Sequence, residues 1–441
     1  MLLAHVGFED LKALYSTQQE RKTRRAFLIG IELKGRPASE AADSLDELAQ
    51  LARSAGAQVV GRGIQRLEKP NAATYIGSGK AEEFSELCKR EGVDTVVFDE
   101  ELTPAQVRNL ERIFSCKILD RTDLILEIFA RRARSREGKL QVELAQLQHV
   151  LPRLMRYWTH LSRQKGGIGL RGGEGESQLE ADRRRVQERI DRLQAELEEV
   201  KRIRQTQRAG RQRNHWPLVS LVGYTNAGKS TLFNALTGAN VLEEDLLFAT
   251  LDPTVRRVRL PGNQNILLSD TVGFIRKLPH QLIEAFKATL EEVVNADLLL
   301  HVVDISHPQA REQIEAVNKV LREICADDKP IILVLNKTDL LHNGDSVSRW
   351  LDEYPSAVPV SAKTTAGFPE LLGEIGIRLK PPRDQVRLII PQREGSVLAR
   401  LHAVGEIVWS SYRGNFAHFQ ARIPPHLKNE FAPYMDGNGK D

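Results

Sequence analysis

The sequence predicts an α/β protein in four parts. These are a small N-terminal α/β domain with a loose leader (1–134), a long antiparallel helical hairpin (135–214), a phosphate-loop domain on a mostly parallel sheet (215–382) and a small C-terminal α+β module (383–441). Two stretches alternate short β-type runs with helical patterns, as parallel sheets with covering helices do. Between them, two leucine-rich seams with heptad spacing flank a glycine-rich run. A chain of 441 residues also exceeds what one core organises, at about 150 residues per domain.

In the first part, the runs AFLIGIEL, AQVVGRGI and DTVVFDE alternate with the amphipathic SLDELAQLARSAG and PAQVRNLERIF, after a polar leader containing KALYSTQQERKTRR. In the second, Leu140, Leu144, Leu147, Leu151 and Leu154 step by four and three residues, and Leu179, Val186, Ile190, Leu193, Leu197 and Val200 keep the same register. That is a coiled-coil seam rather than the broader face of a globular helix. The glycines of KGGIGLRGGEGE (165–176) stop the helix between the seams, so the chain turns back there. Pro152 should kink the first helix. The third part carries the buried-strand runs PLVSLV, ILLSDTV, LLLHVVD, IILVLN and AVPVSA, and KPPRD (380–384) is its linker to VRLIIP and FAHFQARI of the fourth.

Composition narrows the class. With 41% hydrophobic and 28% charged residues, the chain can bury several cores and is not wholly disordered. The total of 63 Lys/Arg against 59 Asp/Glu hides a local excess: residues 131–214 hold 21 basic and 11 acidic side chains. One basic region therefore faces phosphate or another anion. Cys88, Cys116 and Cys325 lie too far apart for a CxxC site or a disulfide framework and fit a reducing cytoplasm. The start, MLLAHVGFEDLK, reaches charge too early for a signal peptide, and apolar runs such as IILVL are strand-sized. The expectation is a cytoplasmic monomer without a membrane span.

GYTNAGKS, comprising Gly223, Tyr224, Thr225, Asn226, Ala227, Gly228, Lys229 and Ser230, satisfies the phosphate-loop pattern between a strand and the helix STLFNALTG. Its glycines let N–H groups turn inward on phosphates, Lys229 supplies a point charge to the β and γ phosphates, and Ser230 offers a hydroxyl to Mg²⁺. The next buried strand ends in Asp270, Thr271, Val272 and Gly273. There Asp270 holds the metal through water and the Gly273 N–H faces the γ phosphate. NKTD, from Asn336 and Lys337 to Thr338 and Asp339, follows another strand; the Asp339 carboxylate can accept from both guanine N1–H and its exocyclic amine, which adenine does not offer. Asn336 and Lys337 brace that loop and cover the base. Ser361, Ala362 and Lys363 form SAK, whose Ala362 N–H can meet guanine O6. NKxD or SAK alone is weak; four motifs in this order define a guanine-nucleotide site.

The intervening segment FATLDPT (Phe248, Ala249, Thr250, Leu251, Asp252 and on to Thr254) is the expected first switch, with Thr250 or Thr254 as its metal-binding threonine; either could equally be a loop or strand-start residue. Phe274 follows DTVG where related switches carry a glutamine that orients water. A phenyl ring cannot do this, so unassisted turnover should be slow. Asn226 either helps hold K⁺ or braces its loop as an amide. GIGLRG (167–172) matches GxGxxG only by spelling, because no strand precedes it, and GSGK (77–80) is a turn before a helix. In the hairpin, Arg163, Lys165 and Arg171, with Tyr157 and Trp158 nearby, combine charge and stacking suited to RNA; the alternative is a solvated charged coiled coil.

Together GYTNAGKSTLFN, FATLDPT, DTVGFI, NKTD, KLQVELAQLQH and QKGGIGLRGGEGESQLEADRR resemble the HflX family of ribosome-associated translational GTPases, as do YIGSGKAEE and LDRTDLILEIFARRA. The likeness runs from about 60 to 381 and is loose over the last sixty residues. It implies a Mg²⁺-dependent GTPase with GTP as substrate that binds the large (50S) ribosomal subunit and separates stalled ribosomes, its glycine-rich tip directed at rRNA near the peptidyl transferase centre. It favours Thr250 as the Mg²⁺ threonine beside Ser230, with Lys229, Thr250 and Gly273 acting in hydrolysis. GGEGE at 172–176 stands where the family has GPGE. Rival readings are a GTP-gated rRNA-binding assembly factor without splitting activity and a signalling switch with a protein partner.

Overall fold

A computed structural model of the chain describes residues 24–35, 37–164, 174–212, 216–239, 246–261, 264–277, 279, 287–341, 345–379 and 384–435. It divides into two units: one within Met1–Gly210, Leu242–Pro253 and Thr271–Glu291, the other Arg211–Val241, Thr254–Asp270 and Glu292–Asp441.

In the first unit, β1 (Arg24–Leu33), α1 (Ala38–Ser54), β2 (Ala57–Leu67), α2 (Ser78–Arg90), β3 (Thr95–Phe98), α3 (Pro104–Phe114), β4 (Lys117–Asp120) and α4 (Arg121–Arg132) follow in order. All four strands are parallel, in the order β2-β1-β3-β4. The core on one face joins Phe27, Ile29, Val96 and Phe98 of the sheet to Phe84 of α2 and Leu110 and Phe114 of α3. Local chemistry sets the helix starts. Thr103 caps α3 through a reciprocal box with Gln106, with Pro104 in the first turn where its missing N–H costs nothing. Asp120 and Asp123 form the same box on α4. The GSGK segment begins α2 at Ser78, with Gly77 as its cap.

Two long helices follow, α5 (Arg136–Gln164) and α6 (Glu174–Gln212). Their seam buries Leu140 and Leu144 against Val186, Ile190, Leu193 and Leu197, with Leu147, Leu151 and Val200 packed beside them. Arg189 holds Glu143 with two bonds of 2.8 and 2.9 Å, and Arg204 meets Glu137 at 2.9 Å, so the charged flanks pair across the seam. Pro152 lies inside α5, which continues as helix on both sides of it. A proline removes one ladder bond, and the seam residues before it, Leu140 to Leu151, keep their packing.

The second unit begins with β5 (Leu218–Gly223) and α7 (Lys229–Thr237), then β6 (Thr254–Leu260) and β7 (Gln264–Asp270). After α8 (Lys287–Val294), whose last three residues belong to this unit, come β8 (Leu298–Asp304), α9 (Ala310–Glu323), β9 (Ile331–Asn336), α10 (Asp345–Glu353), β10 (Val358–Pro359) and α11 (Phe368–Leu379). The sheet order is β10-β9-β8-β5-β7-β6, parallel except for the antiparallel edge strand β6. The near-continuous apolar runs reflect burial on both faces; every residue of β8 is buried. Last come β11 (Asp384–Pro391), α12 (Gly395–Val404), β12 (Glu406–Arg413) and β13 (Phe416–Ile423), an antiparallel sheet in the order β11-β13-β12.

Candidate functional site: a guanine-nucleotide pocket at the strand ends

The carboxyl ends of β5, β7, β8 and β9 bring the motif residues of the second unit together, where ligands bind in open α/β sheets. Between β5 and α7 the backbone makes the left-handed excursions that only certain residues accept. Gly228 has φ of 91° and Asn226 of 59°. A Cβ on Gly228 would collide with the Asn336 amide nitrogen, and one on Gly223 with the Val302 carbonyl. Both glycines are therefore required by close approach as well as by backbone angle.

Lys229 is 6% exposed. Its ammonium donates to the Gly223 and Tyr224 carbonyls at 3.1 and 2.7 Å, which holds it at the centre of the loop. Burial lowers its pKa to about 8, against the opposing attraction of Asp270. The same burial, with Lys229 nearby, pushes His301 on β8 down to about 3, so that imidazole is neutral. The Ser230 hydroxyl donates to Asp270 Oδ2 at 2.8 Å, and Asp270 is fully buried. A serine hydroxyl beside a buried carboxylate is the hard-oxygen pair that a Mg²⁺ ion and its waters require.

The base loops are tied to the phosphate loop through Asn336. Its amide donates to the Ala227 carbonyl at 2.8 Å and its oxygen accepts from Ala362 N–H at 3.0 Å. Thus the N–H expected to meet guanine O6 is engaged by Asn336 in this structure, because the two loops are bridged directly. Asp339 Oδ1 accepts from Ser361 Oγ at 2.7 Å, the Ser361 hydroxyl also receives Thr364 N–H, and Thr338 Oγ1 donates to the Val360 carbonyl. Lys337, at φ 65°, pairs with Asp304 at 2.6 Å. Asp304 and His301 were not singled out from sequence. Each ends or lines β8, and no motif spacing marks them.

The two switch segments belong to the first unit, where their side chains have partners. Phe248 is buried, its ring 4.7 Å from that of Phe129. Asp252 Oδ2 accepts from the Arg134 and Ser135 N–H groups, each at 2.9 Å, and Oδ1 from the Ser135 hydroxyl, at the start of α5. A Cβ on Gly138 would stand 2.6 Å from that Asp252 oxygen, so glycine permits the approach. The structure thus places the Phe248 ring and the Asp252 carboxylate on the α/β unit and hairpin root. Thr250 and Leu251 lie between them, whereas Thr254 begins β6, paired with Asp270. After Thr271, Val272 and Gly273, Phe274 and Ile275 are buried. Lys277 bonds Asp99 at 2.7 Å and Glu100 at 2.6 Å, and the Arg276 carbonyl accepts from Arg121 at 3.2 Å.

Lys165, Arg171 and the side chain of Arg163 lie outside the described residues. Elsewhere in the first unit, Asp120, Asp123 and His149 bring three ligand-type atoms within 4.8 Å. Both carboxylates already cap α4, and His149 meets Asp123 at 3.1 Å, so this cluster is read as a buried lock between α4 and α5. No helix among the described residues is long and apolar enough to cross a membrane.

A parallel sheet with a phosphate loop, a buried lysine, a Ser–Asp pair and an NKxD loop bridged to SAK defines a P-loop GTPase. Comparison with known proteins agrees. The chain matches the family models described as GTP-binding GTPase N-terminal (residues 42–130), GTP-binding GTPase middle region (132–211) and 50S ribosome-binding GTPase (218–337). It is 51% identical over 364 residues to GTPase HflX of Magnetococcus marinus, covering 82% of this chain and 84% of that one. It is 48% identical to GTPase HflX of Escherichia coli K12, covering 87% and 90%. Among solved structures, that of SsGBP with GDP shares 30% identity over 80% of this chain and 97% of the other, at a TM-score of 0.47. The chain belongs to the HflX family of GTPases and hydrolyses GTP.

Proposed function

We propose that this GTPase associates with the large ribosomal subunit and its rRNA and separates stalled ribosomes, with GTP binding and hydrolysis setting when it engages and leaves. The observation that carries the nucleotide chemistry is the Asn336 bridge. One buried amide holds the phosphate loop and the SAK loop at a fixed separation, so base and phosphates are read as one object. Ribosome association is supported by the printed description of the family model over 218–337 and by the basic excess of residues 131–214.

Within the site, Gly223, Gly228 and their neighbours direct N–H groups at the phosphates, and Lys229 carries the positive charge between them. Ser230, the water-mediated Asp270 and Thr250 would hold Mg²⁺, which supplies charge neutralisation on the phosphate oxygens. Gly273 N–H serves the γ phosphate, and Asp339 reads the guanine edge. Phe274 cannot orient water, so hydrolysis is slow alone, on the order of the 10⁻⁴ to 10⁻² s⁻¹ of unassisted switch GTPases, and rises on the ribosome. Arg163, Lys165 and Arg171 at the hairpin tip are proposed to meet rRNA.

Sucrose-gradient sedimentation of 70S particles with the protein and GTP tests the reading. Conversion to 50S and 30S, with the protein on 50S, is the expected result. Protein bound to intact 70S or to free 50S without conversion supports an assembly factor instead, and absence from all three particles overturns ribosome association.

A further inference from the structure

One face of the C-terminal sheet is covered by α12 and the segment that follows β13: Leu401, Phe431 and their neighbours pack on Leu388, Ile390, Phe419 and Ile423. The other face has no covering element among the described residues. Strand register places residues that pair across an antiparallel ladder on the same side, so this face can be read row by row. Arg387, Gln420 and Trp409 form one row, and Pro391, Phe416 and Arg413 another. Between them lie Ile389, His418 and Ser411, and beyond the first lie Gln385, Arg422 and Glu406.

Trp409 is 50% exposed and Phe416 46%. Arg387, Arg413 and Arg422 are also exposed. Three guanidinium groups share this face with one carboxylate of its rows, Glu406, which Arg422 approaches to 3.8 Å. Large aromatics held in solvent on a rigid sheet are a cost unless something stacks on them. Trp409 and Phe416 stand two rows apart, four residues along β13 or about 14 Å at strand rise, which is the reach of two extended nucleotides. Each aromatic has an arginine in its own row to meet a phosphate, and glutamine, serine and histidine lie alongside as hydrogen-bonding groups for base edges and 2′-hydroxyls. A protein partner would be better served by a continuous apolar centre, which the Arg, Gln and His positions interrupt.

We propose that this face binds a single-stranded RNA segment, with bases stacked on Trp409 and Phe416 and the phosphates tracked by Arg387 and Arg413. The choice of RNA over DNA rests on the ribosome-associated reading above; the nucleic-acid character of the face rests on the rows themselves.

The test uses the full chain with GDP, in a background carrying Arg163→Ala, Lys165→Ala and Arg171→Ala, so that the hairpin does not mask the sheet. The probe is a fluorescein-labelled eight-nucleotide RNA of mixed sequence, read by anisotropy, alongside the DNA of the same sequence. Binding should weaken at least about fivefold on Trp409→Ala and again on Phe416→Ala, while Trp409→Phe restores most of the loss. Arg387→Gln should lower the salt slope by up to about one ion equivalent. GDP affinity and melting temperature should stay at background values, which excludes misfolding as the cause. Four-thiouridine in the probe should cross-link within residues 384–423. The proposal is overturned if the background does not bind RNA, if the double variant Trp409→Ala, Phe416→Ala binds within twofold of it, or if the cross-links fall elsewhere. Equal affinity for the DNA overturns the choice of RNA. None of these results depends on ribosome splitting, so this face and the function proposed above can fail separately.

Discussion

Replacing Asn336 by alanine removes one side chain that serves two loops. The residue is 1% exposed, so the Ala227 carbonyl and Ala362 N–H that it satisfies lose their partner where water enters poorly. A buried polar group left unpaired costs about 1–3 kcal/mol. Two of them give roughly 2–6 kcal/mol, less whatever the loops recover by relaxing toward solvent. Part of the loss appears in folding, because the bridge satisfies two backbone groups of the fold itself. The rest appears in binding, because phosphate loop and base loop must then be brought to register at the expense of nucleotide affinity. If about half falls on binding, GDP affinity drops roughly five- to 140-fold, at 1.4 kcal/mol per tenfold change. Fluorescent-GDP titration and thermal melting of wild type and Asn336→Ala read the two parts separately. Asn336→Asp sharpens the comparison: it keeps an acceptor for Ala362 N–H but turns a buried carboxylate toward the Ala227 carbonyl, so it should be no better than alanine. An alanine variant that melts like wild type and binds GDP within twofold refutes the bridge.

Asp339→Asn should exchange guanine for xanthine preference, since an amide can donate to the xanthine carbonyl but no longer accepts from two base protons; unchanged GTP preference in a competition assay removes the residue from base reading. Lys229 has its pKa lowered to about 8 by burial, and bound phosphates must raise it again, so above about pH 8 nucleotide binding takes up a proton and affinity falls as pH rises. Calorimetry at pH 8.5 in buffers of different ionisation enthalpy should show that uptake, and buffer-independent heats contradict it. Asp252→Ala should remove two N–H bonds and one hydroxyl bond at the start of α5, costing about 1–3 kcal/mol after allowance for partial exposure. Faster hydrogen exchange at the first turn of α5 is the expected sign, and unchanged exchange there denies the contact.

The nucleotide loops were legible because each is a short motif whose chemistry is local: GYTNAGKS needs only its own strand and helix, and NKTD only the strand before it. The hairpin seams were legible for the same reason, heptad spacing being a property of one helix at a time. Contacts made by register or by distant segments left no pattern. Asp252 and Ser135 are 117 residues apart, so nothing near either reveals the pair. Lys337 with Asp304, and Ala362 N–H with Asn336, depend on how adjacent strand ends align. The open C-terminal face was half visible: FAHFQARI alternates in sequence, but a bulge between Ile407 and Trp409 sets which side Trp409 takes.

The partners of the two switch segments bound what a nucleotide must do to them. A ligand shifts a conformational equilibrium only by its differential affinity for the two states, and moving one from 1:99 to 99:1 takes about 5.5 kcal/mol. The clasp on Asp252, about 1–3 kcal/mol, falls short of that alone. Lys277 with Asp99 and Glu100, and the Arg276 carbonyl with Arg121, hold the second segment to the same α/β unit. Asp99 is shared, accepting from Arg121 as well as from Lys277, and Arg121 also pairs with Glu47. The second segment therefore rests on a coupled network of charges, whereas the first is held by the Asp252 clasp, the Phe248 ring against Phe129 and a bond from Leu247 N–H to Ser54 Oγ. Arg121, buried and shared between Asp99, Glu47 and the Arg276 carbonyl, makes the second attachment costly to break, because removing one partner leaves the others' charge buried.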